Sequence, residues 1–221
     1  MKIINTEVYG FEAALRGMRN PMNSWHLSDT RKADTIEDFK LLDTICPKDM
    51  DMELAVIGEN NLDLAQRLIK AGSEHCKFLR QIQVWADFNM PLYWWSEFDT
   101  YKFNTKNSCS TMHKLLNAKK GIELSDFVYD KLDRQDIEKI VIKLNELRDR
   151  YLETKDYNYV IRAKKLLPTS YKQLRTVNTN YAELRNIYFQ RKNHRLKEEW
   201  QDTFCKWVEN LPYAQELILF E

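Results

Sequence analysis

Ile82, Val84, Ala86 and Phe88 are apolar, and Gln81, Gln83, Trp85 and Asp87 stand between them. A period of two sends successive side chains to opposite faces, so this segment can be a half-buried strand but not an amphipathic helix. Pro91 lacks a backbone N–H and marks the strand's end or an edge. The apolar spacing around it is of the other kind. Leu62, Ala65, Leu68 and Ile69 before Gly72, then Ile137, Ile140, Val141, Leu144, Leu147 and Tyr151, then Leu196, Trp200, Phe204, Trp207, Val208 and Leu211 fall into helical stripes. Few strands among many helices predict an α+β fold. With 221 residues, 43% of them hydrophobic, five Gly, five Pro and no Ser- or Gly-rich linker, the expectation is a single domain over residues 1–221.

Several function classes have no support. No apolar run approaches the roughly 18 residues needed to span a bilayer, and the amino-terminal stretch has no long apolar segment, so no membrane association and a cytoplasmic location are expected. Cys46, Cys76, Cys109 and Cys205 form no CxxC, and His26, His75, His113 and His194 show no HxxxH or HExxH spacing. No metal site is expected, and reduced thiols are the simplest reading. The net charge of +1, without a zinc or helix-turn-helix motif, argues against a dedicated nucleic-acid binder.

The charge is nevertheless segregated. Lys155 to Lys197 holds eleven Lys and Arg against two acids, Asp156 and Glu183, which leaves the rest of the chain net negative. Within Leu166–Trp200, a helical angle of 100° per residue brings Leu184, Ile187 and Arg191 back to within about 40° of Asn180. A guanidinium aligned with core-facing residues needs an anionic or carbonyl partner. That partner is either a bound anion or an acid of another subunit. Asn180 with Glu183 three residues on also reads as a helix cap and capping box. The rings of Trp85, Tyr93, Trp94 and Trp95 have two readings as well, stacking on a base or flavin, or forming core and subunit interface.

These residues carry a family resemblance. The Leu-Pro at 167–168, the twelve-residue step from Pro168 to Asn180, and the helix with Asn186 and Arg191 followed by Glu199 resemble the carboxy-terminal half of the flavin-dependent thymidylate synthases, whose pattern there is TxNxRxLxxFxxLR. The resemblance implies that Lys164 stands at a nucleotide-binding Arg, Asn180 and Asn186 at flavin-contacting Asn residues, and Arg191 at the Arg that holds dUMP. Ala182 stands where the family has an Arg.

Upstream, GSEHCKFLRQIQVWADFNMPLYWW (72–95) resembles the family's histidine-containing segment, with His75 at a flavin-site His. The family's signature, roughly RHRxxSxNExSxR, falls on Thr100–Met112, which reads TYKFNTKNSCSTM. Asn107 and Ser110 agree. Thr100, Tyr101 and Lys102 replace the RHR triplet, Ser108 the Glu, and Met112 the last Arg. Planar guanidiniums that bind phosphates bidentately are not replaced in charge or geometry by Thr and Lys. Cys109 in this loop is either a reactive thiol or an inert small residue.

The resemblance implies a central antiparallel sheet flanked by helices, FAD as cofactor, and a homotetramer that builds each site from several chains. It implies cofactor contacts at His75, Thr100, Tyr101, Asn107, Asn180 and Asn186, and substrate contacts at Lys164, Arg191, Ser110 and Lys102. The expected ligand is a nucleotide or another phosphate-bearing small molecule. Three functions follow: flavin-dependent methylation of a deoxyuridylate-type nucleotide or a related substrate, non-catalytic nucleotide binding, and a scaffold whose fold serves oligomerisation only.

Overall fold

The computed structural model describes residues 1–111, 114–116 and 120–221. Met112 and His113, which figured in the sequence reading, lie outside the described residues. In chain order the elements are β1 (Lys2–Tyr9), α1 (Phe11–Gly17), β2 (Arg31–Lys32), α2 (Ile36–Ile45), β3 (Met50–Met52), β4 (Ala55–Val56), α3 (Glu59–Lys70), β5 (Gln83–Pro91), α4 (Leu92–Phe98), β6 (Thr105–Ser108), α5 (Arg134–Thr154), α6 (Asn158–Leu166), β7 (Lys172–Asn180), α7 (Tyr181–Arg191) and α8 (Lys206–Glu209). A wider π-type helix, Lys197–Cys205, leads into α8.

Five strands form one sheet in the order β3-β1-β5-β7-β6, flanked by helices, and β2 pairs with β4 in a second, two-stranded sheet. β5 and β7 run antiparallel: Tyr181 N–H donates to Ile82 C=O, and Leu92 N–H donates to Tyr171 C=O. The expectation of an antiparallel sheet needs one correction, because β1 and β3 pair in parallel, Thr6 with Met50 and Val8 with Met52. The intervening chain runs through α1 and α2, the long connection that a parallel pair requires.

By contacts the chain divides into two compact units. The first comprises Met1, 88–100 and 107–175, and the second comprises 2–87, 101–106 and 176–221. In the first, Phe88, Trp94, Trp95 and Phe98 are almost fully buried and pack ring on ring, Trp94 stacking on Phe98 at 4.8 Å and meeting Trp95 edge-on at 5.0 Å. Of the four rings around β5 singled out in the sequence, Trp94 and Trp95 are core, Tyr93 is half-buried and Trp85 is exposed. A neighbouring cluster joins Ile137, Leu144 and Leu147 of α5 to Val160 and Ala163 of α6, the stripe that the spacing in 137–151 anticipates.

In the second unit, Val84 and Ala86 of β5 face inward as the alternation requires, with Phe11, Leu15, Tyr181, Leu184, Ile187, Trp200 and Phe204 also buried. Each fully buried large apolar side chain contributes roughly 1.5–3 kcal/mol. Gly10 takes φ 105° just before α1, and a Cβ there would stand 2.5 Å from Gln81 C=O, so only glycine fits. Its N–H and that of Phe11 donate to Glu53 Oε2 at 2.8 and 2.6 Å, satisfying two of the first backbone donors of α1.

The basic segment from Lys155 to Lys197 holds more than one kind of element. Lys172–Asn180 is strand, and helix begins only at Tyr181. Its buried positions include Gln173 and Thr179 beside Val177, so the period of two is written partly in polar residues and hydropathy misses it.

Candidate functional site

The site is built where β7 gives way to α7. Asn180 caps the helix, its side chain accepting the Glu183 N–H at 3.0 Å, which satisfies one of the helix's orphan donors. The same side chain donates from Nδ2 to Phe103 C=O at 3.3 Å. Glu183, buried in the first turn, accepts the Phe103 N–H at 3.3 Å. Both main-chain groups of Phe103 are therefore held by α7, and its ring is left largely exposed. Burial pushes the Glu183 carboxyl above its ordinary range, and the Phe103 N–H with the Asn104 and Asn186 side chains pulls it partly back.

These contacts border a cavity of about 740 Å³ within the second unit. One wall is α7, through Ala182, Arg185, Asn186 and Phe189, and the other elements supply Arg80 and Phe103 among others. Arg185 is half-buried, and burial draws its guanidinium below the ordinary value. Its Nη1 donates to Ile218 C=O, and its plane lies 4.8 Å from the centre of the Phe189 ring. The Arg80 guanidinium stands 5.8 Å from the Phe103 ring centre. Amides, two rings and two cations around one space suit a flat heteroaromatic ligand with an anionic group.

The structure brings Asn180 and Asn186 together on this cavity. Arg191 is not among its lining residues. Its Nε donates to Tyr101 Oη at 2.8 Å, and its guanidinium lies 4.6 Å from the Trp200 ring centre and 5.5 Å from that of Tyr101. Tyr101 in turn donates to Gln190 Oε1 at 3.1 Å. Lys102 is exposed beside Tyr101, and exposed His75 lines a separate cleft with Met22 and Phe78.

The remaining candidates belong to the first unit. The Thr100 hydroxyl donates to Glu97 C=O at 2.7 Å, Asn107 is exposed in β6, and Lys164 is exposed in the last turn of α6. Ser110 lines a cleft with Cys109, Lys114, Tyr171 and Lys172. Among the described residues no group of three or more His, Cys, Asp or Glu is placed to hold a metal ion, and no helix is long and apolar enough to cross a membrane.

Sequence reasoning missed Arg80, Phe103, Arg185 and Phe189. It followed the face of α7 that contains Leu184 and Ile187, which is the core face. Ala182, Arg185, Asn186 and Phe189 form a second stripe, roughly 180° around the helix. A stripe mixing a small residue, a cation, an amide and a ring opposite a core face was the available signal.

No family model matches the sequence, and no curated protein matches it by sequence. In three dimensions the chain is similar to a crystal structure of the flavin dependent thymidylate synthase ThyX from Helicobacter pylori complexed with FAD and dUMP, at 18% identity and a TM-score of 0.69. It is likewise similar to a crystal structure of Thymidylate Synthase X from the same organism with FAD and dUMP at 2.31 Å resolution, at 17% identity and a TM-score of 0.70. Each comparison covers 100% of this chain and 98% of the other. The β5 alternation, the Asn180 cap at the strand-to-helix junction and the full-length superposition lead to one conclusion: this chain has the fold of the flavin-dependent thymidylate synthases.

Proposed function

We propose that this protein is a diverged relative of those synthases that binds a nucleotide, and that the cavity beside α7 is the binding site. The observation that carries the reading is the convergence of Asn180, Asn186, Phe103, Phe189 and two guanidiniums on one space of about 740 Å³. The rings offer faces for a base or an isoalloxazine, and the side-chain amides offer donors and acceptors to its edge. The residues present fit a flavin nucleotide such as FAD, which would supply hydride chemistry when bound.

A second reading separates binding from turnover. Thr100 and Lys102 stand where the family signature has Arg, and Thr100 uses its hydroxyl on Glu97 C=O. Without those guanidiniums the charge stabilisation and orientation that methylation of a deoxyuridylate demands are reduced. This favours nucleotide binding without thymidylate synthesis. The single-domain organisation, a homotetramer and a cytoplasmic location complete the proposal.

Purified protein titrated with FAD, FMN and dUMP tests it. A bound nucleotide at a hundredfold excess over Kd stabilises the fold by about 2.7 kcal/mol, and a bound flavin adds absorbance at roughly 450 nm. No melting shift with any of the three overturns the reading. Formation of thymidylate from dUMP by the flavin-loaded protein would overturn the non-catalytic version alone.

A further inference from the structure

Ion pairing separates two of this chain's arginines from many others. Arg31 pairs with Asp38 at 2.6 Å, Arg67 with Asp63 at 2.7 Å, Arg134 with Glu138 at 2.9 Å and Arg175 with Asp99 at 3.1 Å. Arg80 and Arg185 line the same cavity, yet neither forms an ion pair among the described residues. Arg185 is half-buried and spends one donor on Ile218 C=O. A guanidinium carries five N–H donors in a planar fork, so most of its capacity is left for something else. The acid in the wall, Glu183, does not neutralise it: that carboxylate is already engaged by the Phe103 N–H and by the Asn104 and Asn186 side chains.

The Glu221 carboxylate supports the Arg185 charge only at a distance, with no ion pair between them among the described residues, and a half-buried cation without a paired counter-charge is costly unless an anion completes it. The cavity has the room, because Ala182, one turn before Arg185 on the same stripe, projects only a methyl group into it. The Phe189 ring lies 4.8 Å from the Arg185 guanidinium and restricts it, which lowers the entropy cost of closing on an anion.

We propose that Arg185 and Arg80 form a phosphoryl-binding pair that takes the phosphate or diphosphate of the cavity's ligand. The identity of the rest of the ligand rests on the nucleotide reading above, but the anion can be tested without it. Arg185 is the inner member and Arg80 the outer, exposed one, so Arg185 fixes the phosphoryl group and Arg80 draws it in.

Calorimetric titration with inorganic pyrophosphate, inorganic phosphate and acetate is the test, on wild type, Arg80→Gln, Arg185→Gln, Arg185→Lys and the control Arg134→Gln. Wild type and the control bind pyrophosphate or phosphate alike. Loss of one charge-assisted fork weakens binding about tenfold in Arg185→Gln, less in Arg80→Gln, and Arg185→Lys recovers part of the loss. Phosphate binding as tight as pyrophosphate assigns a monophosphate, and a clear preference for pyrophosphate assigns a diphosphate. Wild type that binds neither anion, acetate that binds as tightly, or an Arg80→Gln and Arg185→Gln double variant with wild-type affinity overturns the pair. Should Arg185→Gln fail to fold, unchanged affinity in Arg80→Gln alone overturns it, since exposed Arg80 makes no side-chain hydrogen bond among the described residues. Pyrophosphate binding with no response to FAD, FMN or dUMP sinks the nucleotide reading and keeps the pair. Nucleotide binding undiminished in the double variant does the reverse.

Discussion

Arg175 in the first unit and Arg185 in the second both lie over aromatic rings, at 4.2 Å from the centre of Trp95 and 4.8 Å from that of Phe189. What differs is everything else around the guanidinium. Arg175 sends Nη1 to both oxygens of Asp99 at 3.1 Å and Nε to Gln173 Oε1 at 3.0 Å. Trp95 also donates its Nε1 to Gln173 C=O at 3.0 Å. That set is closed, because ring, carboxylate and amide together satisfy the cation. Arg185 has a ring, one carbonyl and a cavity. A similar ring contact therefore does not mean equal purpose: a paired carboxylate makes an arginine part of the scaffold, and an open space in which no carboxylate pairs with it among the described residues leaves it receptive.

The comparison breaks most easily at the packed side. Trp94→Ala removes a fully buried ring from the Phe88, Trp95 and Phe98 cluster, and the expected loss is about 3–5 kcal/mol in chemical denaturation. A loss below about 1 kcal/mol would show that these rings are not the organising core of the unit. Asp99→Asn is the next largest. It leaves the Arg175 charge with an amide in place of a carboxylate, and the expected destabilisation is about 1–2 kcal/mol. A neutral Asp99→Asn would mean that Gln173 and Trp95 suffice, and the contrast with Arg185 would lose its basis.

Arg185→Met sharpens the same contrast from the open side. With no ligand present it removes a half-buried cation that has no ion pair among the described residues, so stability should hold or rise rather than fall. Pyrophosphate binding should fall in the same protein. A loss as large as that of Asp99→Asn would assign Arg185 to the scaffold.

The sequence shows some of this and hides the rest for identifiable reasons. β5 is legible because its inward positions are all apolar, Ile82 to Met90, and its partner β7 is not, because Gln173 and Thr179 share the inward positions with Val177. Leu196, Trp200, Phe204 and Val208 show as a helix, but a spacing of four does not tell the π-type turn of Lys197–Cys205 from an α-helical one. The Asn180 cap is visible as an Asn three residues before Glu183. Which face of α7 meets the cavity is not visible from the helix alone, since Leu184 and Ile187 mark the core and the opposite stripe is defined only once the segment around Phe103 is in place. For that reason Arg191 drew attention, and Arg185, six residues earlier, did not. The position of Phe103 depends on two hydrogen bonds between residues about eighty positions apart, and no local pattern encodes those.

Those two bonds set an expectation that depends on pH. Glu183 carries a carboxyl that burial raises above its ordinary 4.5, so the folded chain holds that proton more tightly than the unfolded chain does. The associated stability is fully present below the unfolded pKa and is lost as pH rises through the raised folded value. Glu183→Gln keeps an oxygen to accept the Phe103 N–H and removes the charge. Its melting temperature should match that of wild type at about pH 4 and exceed it by at most about 2–4 °C near pH 8. Asn180→Ala provides the complementary measurement, because it removes the helix cap and the bond to Phe103 C=O and should cost about 1 kcal/mol at every pH. Parallel melting curves for wild type and Glu183→Gln across that range would mean that the carboxylate is solvated in solution. Phe103 would then be held by Asn180 alone, and the cavity wall it forms would be looser than the hydrogen bonds imply.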